Sequence, residues 1–389
     1  MDNQTILQYA EGVFDYVRSI RQDLHRHPEL SFHEEWTSSY VEAQLNALSI
    51  PYTKGFAQYG IRAIIDGMAD GDTVVLRADM DALPIAEDNT HVVCSEIPGV
   101  SHACGHDMHT ATLLGVAKIL MQTRSLWRGR VVLLFQPSEE VWPGGAIRML
   151  NNNVLEGISP KVVMAHHVMP GLPVGHVGFH SGTYMASGDE IHLRIHGHGG
   201  HGGVPHLLTD TVLAGAQILV ALQELVAREV PADIPTVLSF GRFEALGATN
   251  IIPDDVYLAG TLRTMSEEWR ARMKSRIREV VSALSSAFRV ETNIDIKDGF
   301  PSVYNNPKLT ERMRESAISL LGSDNVAAMS VRTTAEDFGY FTQRYPSVYY
   351  RFGVGDSGNV HTSQFNPDEE SLKTSVAVML SGTLKMLSE

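Results

Sequence analysis

Thr73-Val74-Val75-Leu76-Arg77 runs directly into Ala78-Asp79-Met80-Asp81, and this stretch decides the fold class. A short, continuous β-branched and aliphatic run reads as a strand buried on both faces. Two acids at its carboxyl end stand where open α/β sheets place their chemistry. The same texture recurs at Val131-Val132-Leu133-Leu134-Phe135 and at Val162-Val163-Met164-Ala165. Between the first two runs, Thr110 to Met121 is rich in Ala, Leu and Ile and reads as a helix. Upstream, residues 9–26 read as a helix that stops near His27-Pro28, since proline disfavours helical backbone before it, and 37–47 as a second. Strands alternating with helices predict a sheet covered by helices.

The texture changes near Ser187. Ile191, Leu193 and Ile195 alternate with His192, Arg194 and His196, a strand with one wet face. A helix follows at 209–226, then strands at 236–243 and 256–261, then a helix from a Ser266 cap to about Phe288. This order resembles a small ferredoxin-like α+β unit. The α/β texture returns after Asp298-Gly299-Phe300-Pro301. The expectation is an α/β domain over 1–183 and 298–389, interrupted by an inserted α+β domain over 184–297.

Composition narrows the function. The 389 residues hold 31 Lys and Arg against 45 Asp and Glu, a net charge of −14. Nucleic acid and anionic lipid call for clustered cations, so neither is an expected partner. No apolar run approaches the ~18 residues of a membrane helix. The polar start Met1-Asp2-Asn3-Gln4 lacks the pattern of a signal peptide. With only Cys94 and Cys104, no disulfide framework is possible, and a cytoplasmic location is expected. Seventeen His residues hint at metal chemistry.

Four strand ends carry potential ligands. Asp79 and Asp81 follow the first run. His102, Cys104, His106, Asp107 and His109 place five potential ligands in eight positions, and geometry must select among them. Gln136-Pro137-Ser138-Glu139-Glu140 follows the second run; one carboxylate there can bind metal while the other serves as a general base. His166-His167 closes the third run, and neighbouring strand residues point to opposite faces, so only one faces the site. His361 adds a late candidate. This Cys/His/Glu set is large enough for two metals and suits hydrolysis of an amide or related acyl bond. Gly197 to His206 forms a glycine-rich loop without the Lys-Ser/Thr of a phosphate loop; its His residues suit an oxyanion or a metal.

Together, residues 77–84 (Arg-Ala-Asp-Met-Asp-Ala-Leu-Pro), 102–109 (His-Ala-Cys-Gly-His-Asp-Met-His), 137–140 (Pro-Ser-Glu-Glu) and 199–206 (Gly-Gly-His-Gly-Gly-Val-Pro-His) closely resemble the dinuclear metallo-amidohydrolases. That group includes hippurate hydrolase, N-acyl-amino-acid amidohydrolases, auxin-conjugate hydrolases and N-acetyldiaminopimelate deacetylase. The resemblance spans Leu24-His25-Arg26-His27-Pro28-Glu29-Leu30 to His361. It implies a metallopeptidase-like catalytic domain, with the insert as lid and homodimerisation domain.

It also implies two divalent ions per subunit (Mn, Zn, Co or Ni) on Cys104, His106, Glu140, His167 and His361. Glu139 becomes the general base on a metal-bridging hydroxide, and Asp79 the acid that orients the site. Distant members carry a metal His where Arg77 stands, with Cys104 compensating. Val168-Met169-Pro170-Gly171 matches the family text and favours His167 over His166 as ligand. His201 would support the oxyanion from the partner subunit, and Asn250, Arg263 and His206 would bind substrate. Glu336-Asp337-Phe338 matches a further signature with its role open. The implied reaction releases a carboxylate and a free amino acid from an N-acyl-L-amino acid. The alternatives are a dipeptidase or carboxypeptidase, a deacetylase of N-acetyldiaminopimelate, and an inactive acyl-amino-acid binding protein.

Overall fold

The computed structural model describes residues 1–88 and 90–388. Internal packing divides them into two units. The first comprises Met1–Gly182, Tyr304–Val331 and the chain from Asp337 onward; the second comprises Thr183–Val303 with Arg332–Glu336.

In the first unit, the described residues form an eight-stranded sheet. Its order is Tyr52–Phe56, Gly60–Asp66, Arg130–Gln136, Thr73–Asp79, Val162–Met169, Ser347–Gly353, Val177–Phe179 and Val326–Ala328. Its central four strands, Arg130–Gln136 through Ser347–Gly353, are parallel, so their carboxyl ends open on one edge. Val74, Leu76, Val131, Leu133, Val162 and Met164 are fully buried, as their unbroken apolar runs require.

Two boundaries differ from expectation. The N-terminal helix is two, Asn3–Gly12 and Phe14–Arg26, interrupted at Val13 after a glycine that weakens helix. The helix expected from Thr110 begins at His106. Gly105 makes the earlier start possible: it adopts φ +79°, and a Cβ there would lie 2.9 Å from both Val168 methyls. His106 and His109 therefore sit on the first helical turn, held rigidly. This helix, His106–Gln122, is buried along most of its length. At Gly115, a Cβ would meet Val17 Cγ2 at 2.4 Å and Val376 Cγ2 at 3.2 Å, so glycine permits close packing on Phe14–Arg26 and Ser371–Leu387.

The second unit holds an antiparallel sheet in the order Thr236–Glu244, Asp255–Thr264, Ser187–His196, Glu291–Lys297. The helices Thr211–Glu224 and Glu267–Phe288 complete a ferredoxin-like arrangement. Ile191, Leu193 and Ile195 turn into its core with Ile218, Leu222 and Ile277. Ser266 Oγ accepts the Trp269 N–H and caps the second helix. Asp189 takes a two-pronged bond from Arg270, at 2.9 and 2.7 Å, and anchors that helix to the sheet. The segment Thr211–Glu229 is long and apolar enough to cross a membrane by length and composition. Its Ala214, Ile218, Leu222 and Leu225 are instead buried in this core.

Candidate active site

The parallel strands deliver Asp79 and Asp81, Glu139 and Glu140, and His167 to one edge of the first unit. The 79–83 turn is stitched to its neighbours: Ala82 N–H donates to Glu29 O at 2.8 Å, and Leu83 pairs with Ser101. The 137–140 turn is tighter. Ser138 adopts φ +59°, and Gly145 N–H donates to Ser138 O at 2.8 Å. A Cβ on Gly145 would lie 1.7 Å from Pro137 O, so Gly145→Ala must displace this turn. The expected result is a lower melting temperature and at least tenfold lower turnover. An alanine variant with wild-type turnover would show that the turn tolerates movement.

Donor atoms converge in overlapping groups, each within 4.8 Å: Cys104/His106/His167, Cys104/Glu140/His361 and His106/Glu139/Glu140. Hydrogen bonds settle which atoms are available. His106 Nδ1 donates to Asp81 Oδ1 at 3.2 Å, which leaves the Nε2 lone pair free. That Nε2 is buried, has no hydrogen-bond partner among the described residues, and lies 3.8 Å from Glu140 Oε1. His167 Nδ1 donates to Val168 O at 2.8 Å, turning its Nε2 toward Cys104 Sγ at 3.3 Å. Glu140 Oε1 is likewise buried without a hydrogen bond among the described residues, although His361 Nε2 is 3.2 Å away.

Buried lone pairs facing one another without donors are costly unless a cation lies between them. An imidazole whose other nitrogen is held by a carboxylate or carbonyl is the arrangement of a metal-bound His. Burial opposes charge on His106, but Asp79, Asp81 and Glu140 outweigh it and raise this imidazole to about 10. Burial, and then the Glu140 and Glu139 carboxylates, push the Cys104 thiol well up. The pocket favours added positive charge, and the residues fit divalent metal.

The rest of the 102–109 cluster is used otherwise. His109 Nδ1 donates to Asp79 Oδ1 at 2.6 Å, and its Nε2 accepts Val168 N–H at 3.0 Å, so both nitrogens are engaged. Asp79 thus acts on His109, and the carboxylate bonded to His106 is Asp81. His102 is buried with neither ring nitrogen bonded among the described residues, and burial lowers it to about 4, keeping it neutral. His166 turns to the opposite face of its strand, 3.4 Å from both Tyr350 Oη and Ser375 Oγ.

Asp107 belongs to a buried network. His25 Nδ1 is 2.7 Å from Asp107, its Nε2 is 2.7 Å from Glu87, and Arg21 Nε is 3.0 Å from Asp107. Burial and Arg21 oppose charge on His25, yet bonds to Asp107 and Glu87 raise its pKa on balance. A raised folded pKa adds stability below the unfolded value of about 6.5, and that stability is lost as pH rises through the folded value. Asp107 is held below its ordinary value despite burial, by Arg21 and His25, so its share is lost only in acid. The melting-temperature gap between wild type and His25→Gln is therefore expected to narrow from about pH 6 to about pH 9. A gap constant across that range would contradict a charged His25.

Glu139 is also buried, and Asp337 N–H lies 3.4 Å from its Oε1. Asp337 is fixed in turn. It accepts from Arg77 Nη2 at 2.8 Å, from Gln136 Nε2 at 2.9 and 2.8 Å, and from Ala146 N–H at 2.9 Å. Arg77 also bonds Asp79 and Gln136. The signature around Asp337, open in the sequence, thus supports the Glu139 turn. The family signature singled out the segment but gave it no role, because its partners lie 191–260 positions away.

In the second unit, His201 and Asn250 are exposed neighbours. His201 pairs with Ile251 across a two-stranded ribbon, and Gly202 N–H donates to Asn250 O. Arg263 lies on Asp255–Thr264, and its Nε donates to Thr261 Oγ1 at 3.1 Å. His206 is exposed on the short helix Pro205–Leu207.

Residues 75–383 match the Peptidase family M20/M25/M40. An N-acyl-L-amino acid amidohydrolase from Geobacillus stearothermophilus is 39% identical over 305 residues, covering 78% of this chain and 82% of that protein. An N-acetyldiaminopimelate deacetylase from Bacillus velezensis is 35% identical over 368 residues, 93% of this chain and 96% of that protein. Among solved structures, a dinuclear metal binding peptidase from the M20 family of Bacillus subtilis superposes with a TM-score of 0.83 at 30% identity. That match covers 97% of this chain and 99% of the other. With the family matched over most of its length and a donor cluster suited to metal at its strand ends, the chain belongs to peptidase family M20/M25/M40 and is a metal-dependent hydrolase of that family.

Proposed function

We propose that this protein hydrolyses the amide bond of N-acyl-L-amino acids using two divalent ions held by Cys104, His106, Glu140, His167 and His361. The observation that carries the reading is the pair of buried, unbonded atoms His106 Nε2 and Glu140 Oε1 within the overlapping donor groups. The likeness to the Geobacillus amidohydrolase supports the substrate class. The ions supply Lewis acidity, polarising the scissile carbonyl and lowering the pKa of water from 15.7 toward about 7.

Glu139 takes the proton of the attacking water and passes it to the leaving nitrogen, so that the amine departs neutral. Asp81 keeps the His106 lone pair inward, and Asp337 steadies Glu139. From the second unit we assign His201 to the oxyanion, and Asn250, Arg263 and His206 to the substrate's polar end. Arg263 suits a carboxylate because its fork bonds both oxygens. We assign homodimerisation to the second unit as well; its Leu213, Val220 and Phe243 expose apolar surface.

The test is release of free amino acid from a panel of N-acyl-L-amino acids, N-acetyldiaminopimelate and dipeptides, with metal-stripped protein reloaded separately with Mn, Co, Ni or Zn. Metal-dependent release from acyl-amino acids but not dipeptides is the expected result. Release confined to N-acetyldiaminopimelate would favour the activity named for the Bacillus velezensis relative. Dipeptide cleavage alone would replace the reading with a peptidase. Silence across the panel with metal bound would overturn it in favour of a binding protein.

A further inference from the structure

We propose that Glu34 is a positioning residue that holds the Ser138 turn so that Glu139 and Glu140 reach the donor cluster. The proposal rests on the roles given to those two glutamates above.

Glu34 is fully buried, and its Oε1 accepts both the Ser138 N–H at 2.6 Å and the Ser138 hydroxyl at 2.9 Å. The hydroxyl's direction is fixed, because Phe32 N–H donates to the same oxygen at 2.8 Å. Ser138 therefore makes three bonds to the 32–34 segment while in a left-handed conformation, φ +59°, that a side chain with a Cβ adopts at a cost. That conformation turns the chain sharply between the end of the Arg130–Gln136 strand and the two glutamates. Glu34 Oε2 is buried with no hydrogen-bond partner among the described residues, an expensive state for a group serving only to fill space. Burial, with the Asp81 carboxylate nearby, raises Glu34 to about 7. Either protonation state leaves Oε1 able to accept.

The same segment supports the neighbouring residue. Ser31 hydroxyl donates to Asp81 Oδ2 at 2.6 Å, and that oxygen also accepts Glu140 N–H at 3.0 Å. Glu34 and Asp81 thus hold the turn from both sides, at Ser138 and at Glu140. Glu29 fixes the segment in place. Its carboxylate accepts Trp36 N–H, Thr37 N–H and the Thr37 hydroxyl, at 3.0, 2.8 and 2.9 Å. Its carbonyl accepts Ala82 N–H. The residues after His27-Pro28 form a brace between the Asp81 turn and the glutamate turn.

The test titrates Co²⁺ into metal-stripped wild type, Glu34→Ala and Glu34→Gln, followed by visible absorption, with kcat and KM measured on whichever panel substrate the wild type cleaves. Glu34→Ala is expected to weaken Co²⁺ binding and to lower kcat, each by about 10–100-fold, the scale for a group that orients metal ligands, with KM little changed. Glu34→Gln is expected to recover most of both, since its amide oxygen accepts the same two bonds. A Glu34→Ala protein equal to wild type in both readouts overturns the proposal, as does a Gln variant no better than Ala. Should Glu34→Ala fail to fold, Ser138→Ala removes the two bonds made through the hydroxyl, and an unchanged Co²⁺ titration there overturns the proposal instead. Weakened Co²⁺ binding in a protein that cleaves nothing in the panel would sink the N-acyl-amino-acid reading and leave Glu34 in its role.

Discussion

Glu139→Gln is expected to cut turnover by about 10²–10⁴-fold while leaving two metal ions bound per chain. The amide keeps the shape and a hydrogen-bonding oxygen but cannot accept a proton at neutral pH. The attacking water then keeps its proton, and the leaving nitrogen receives none. Metal content should hold because Cys104, His106, Glu140, His167 and His361 remain as donors. Measuring kcat beside bound metal separates the outcomes. Activity near wild type would remove Glu139 as the base, and lost activity with lost metal would make it a ligand instead. A companion variant, His201→Ala, is expected to lose about 10²–10³-fold in kcat, the scale for one oxyanion donor. Mixing the two inactive proteins tests the assignment across a dimer. Partial recovery supports His201 acting from the partner subunit, and no recovery returns it to its own chain.

Arg77→Met is expected to lower the stability of the first unit by roughly 3–5 kcal/mol. Arg77 is fully buried and pairs with Asp79 and Asp337, which are also fully buried. Removing the guanidinium leaves two carboxylates in a site that water does not reach. Breaking one side of a buried ion pair costs more than the intact pair contributes, because the remaining charge is uncompensated. Turnover should fall too, since Asp337 carries the N–H facing Glu139 and would lose its anchor. The double variant Arg77→Met/Asp337→Asn removes one of the stranded charges and should recover part of the lost stability, read from the urea midpoint. Equal midpoints for the single variant and wild type would show that the network is solvated.

The sequence by itself determined the sheet and the chemistry of the site. Runs such as Val131 to Phe135 and Val162 to Ala165 have no wet face, and unbroken β-branched stretches bury on both sides of a parallel sheet. The alternation of Ile191, Leu193 and Ile195 marked a strand with one covered face, which the second unit's sheet contains. Cys104, His106, Glu139 and Glu140 were legible as a candidate site because the first two belong to a dense run of ligand types just before a helix and the last two follow a strand.

Only the tertiary structure decided which donor atoms are free. His109 and His106 lie three positions apart, yet His109 is engaged by Asp79 and the Val168 N–H while His106 keeps one lone pair. Asp107 looked like a ligand and belongs to Arg21 and His25, 82 or more positions away in the chain. Glu34 carried no signal in its neighbourhood, because its partner Ser138 is 104 positions distant. A side chain's type is local and fixes what bonds it can make. Which bonds it does make depends on the groups the fold brings within 3 Å, and these come from distant parts of the chain.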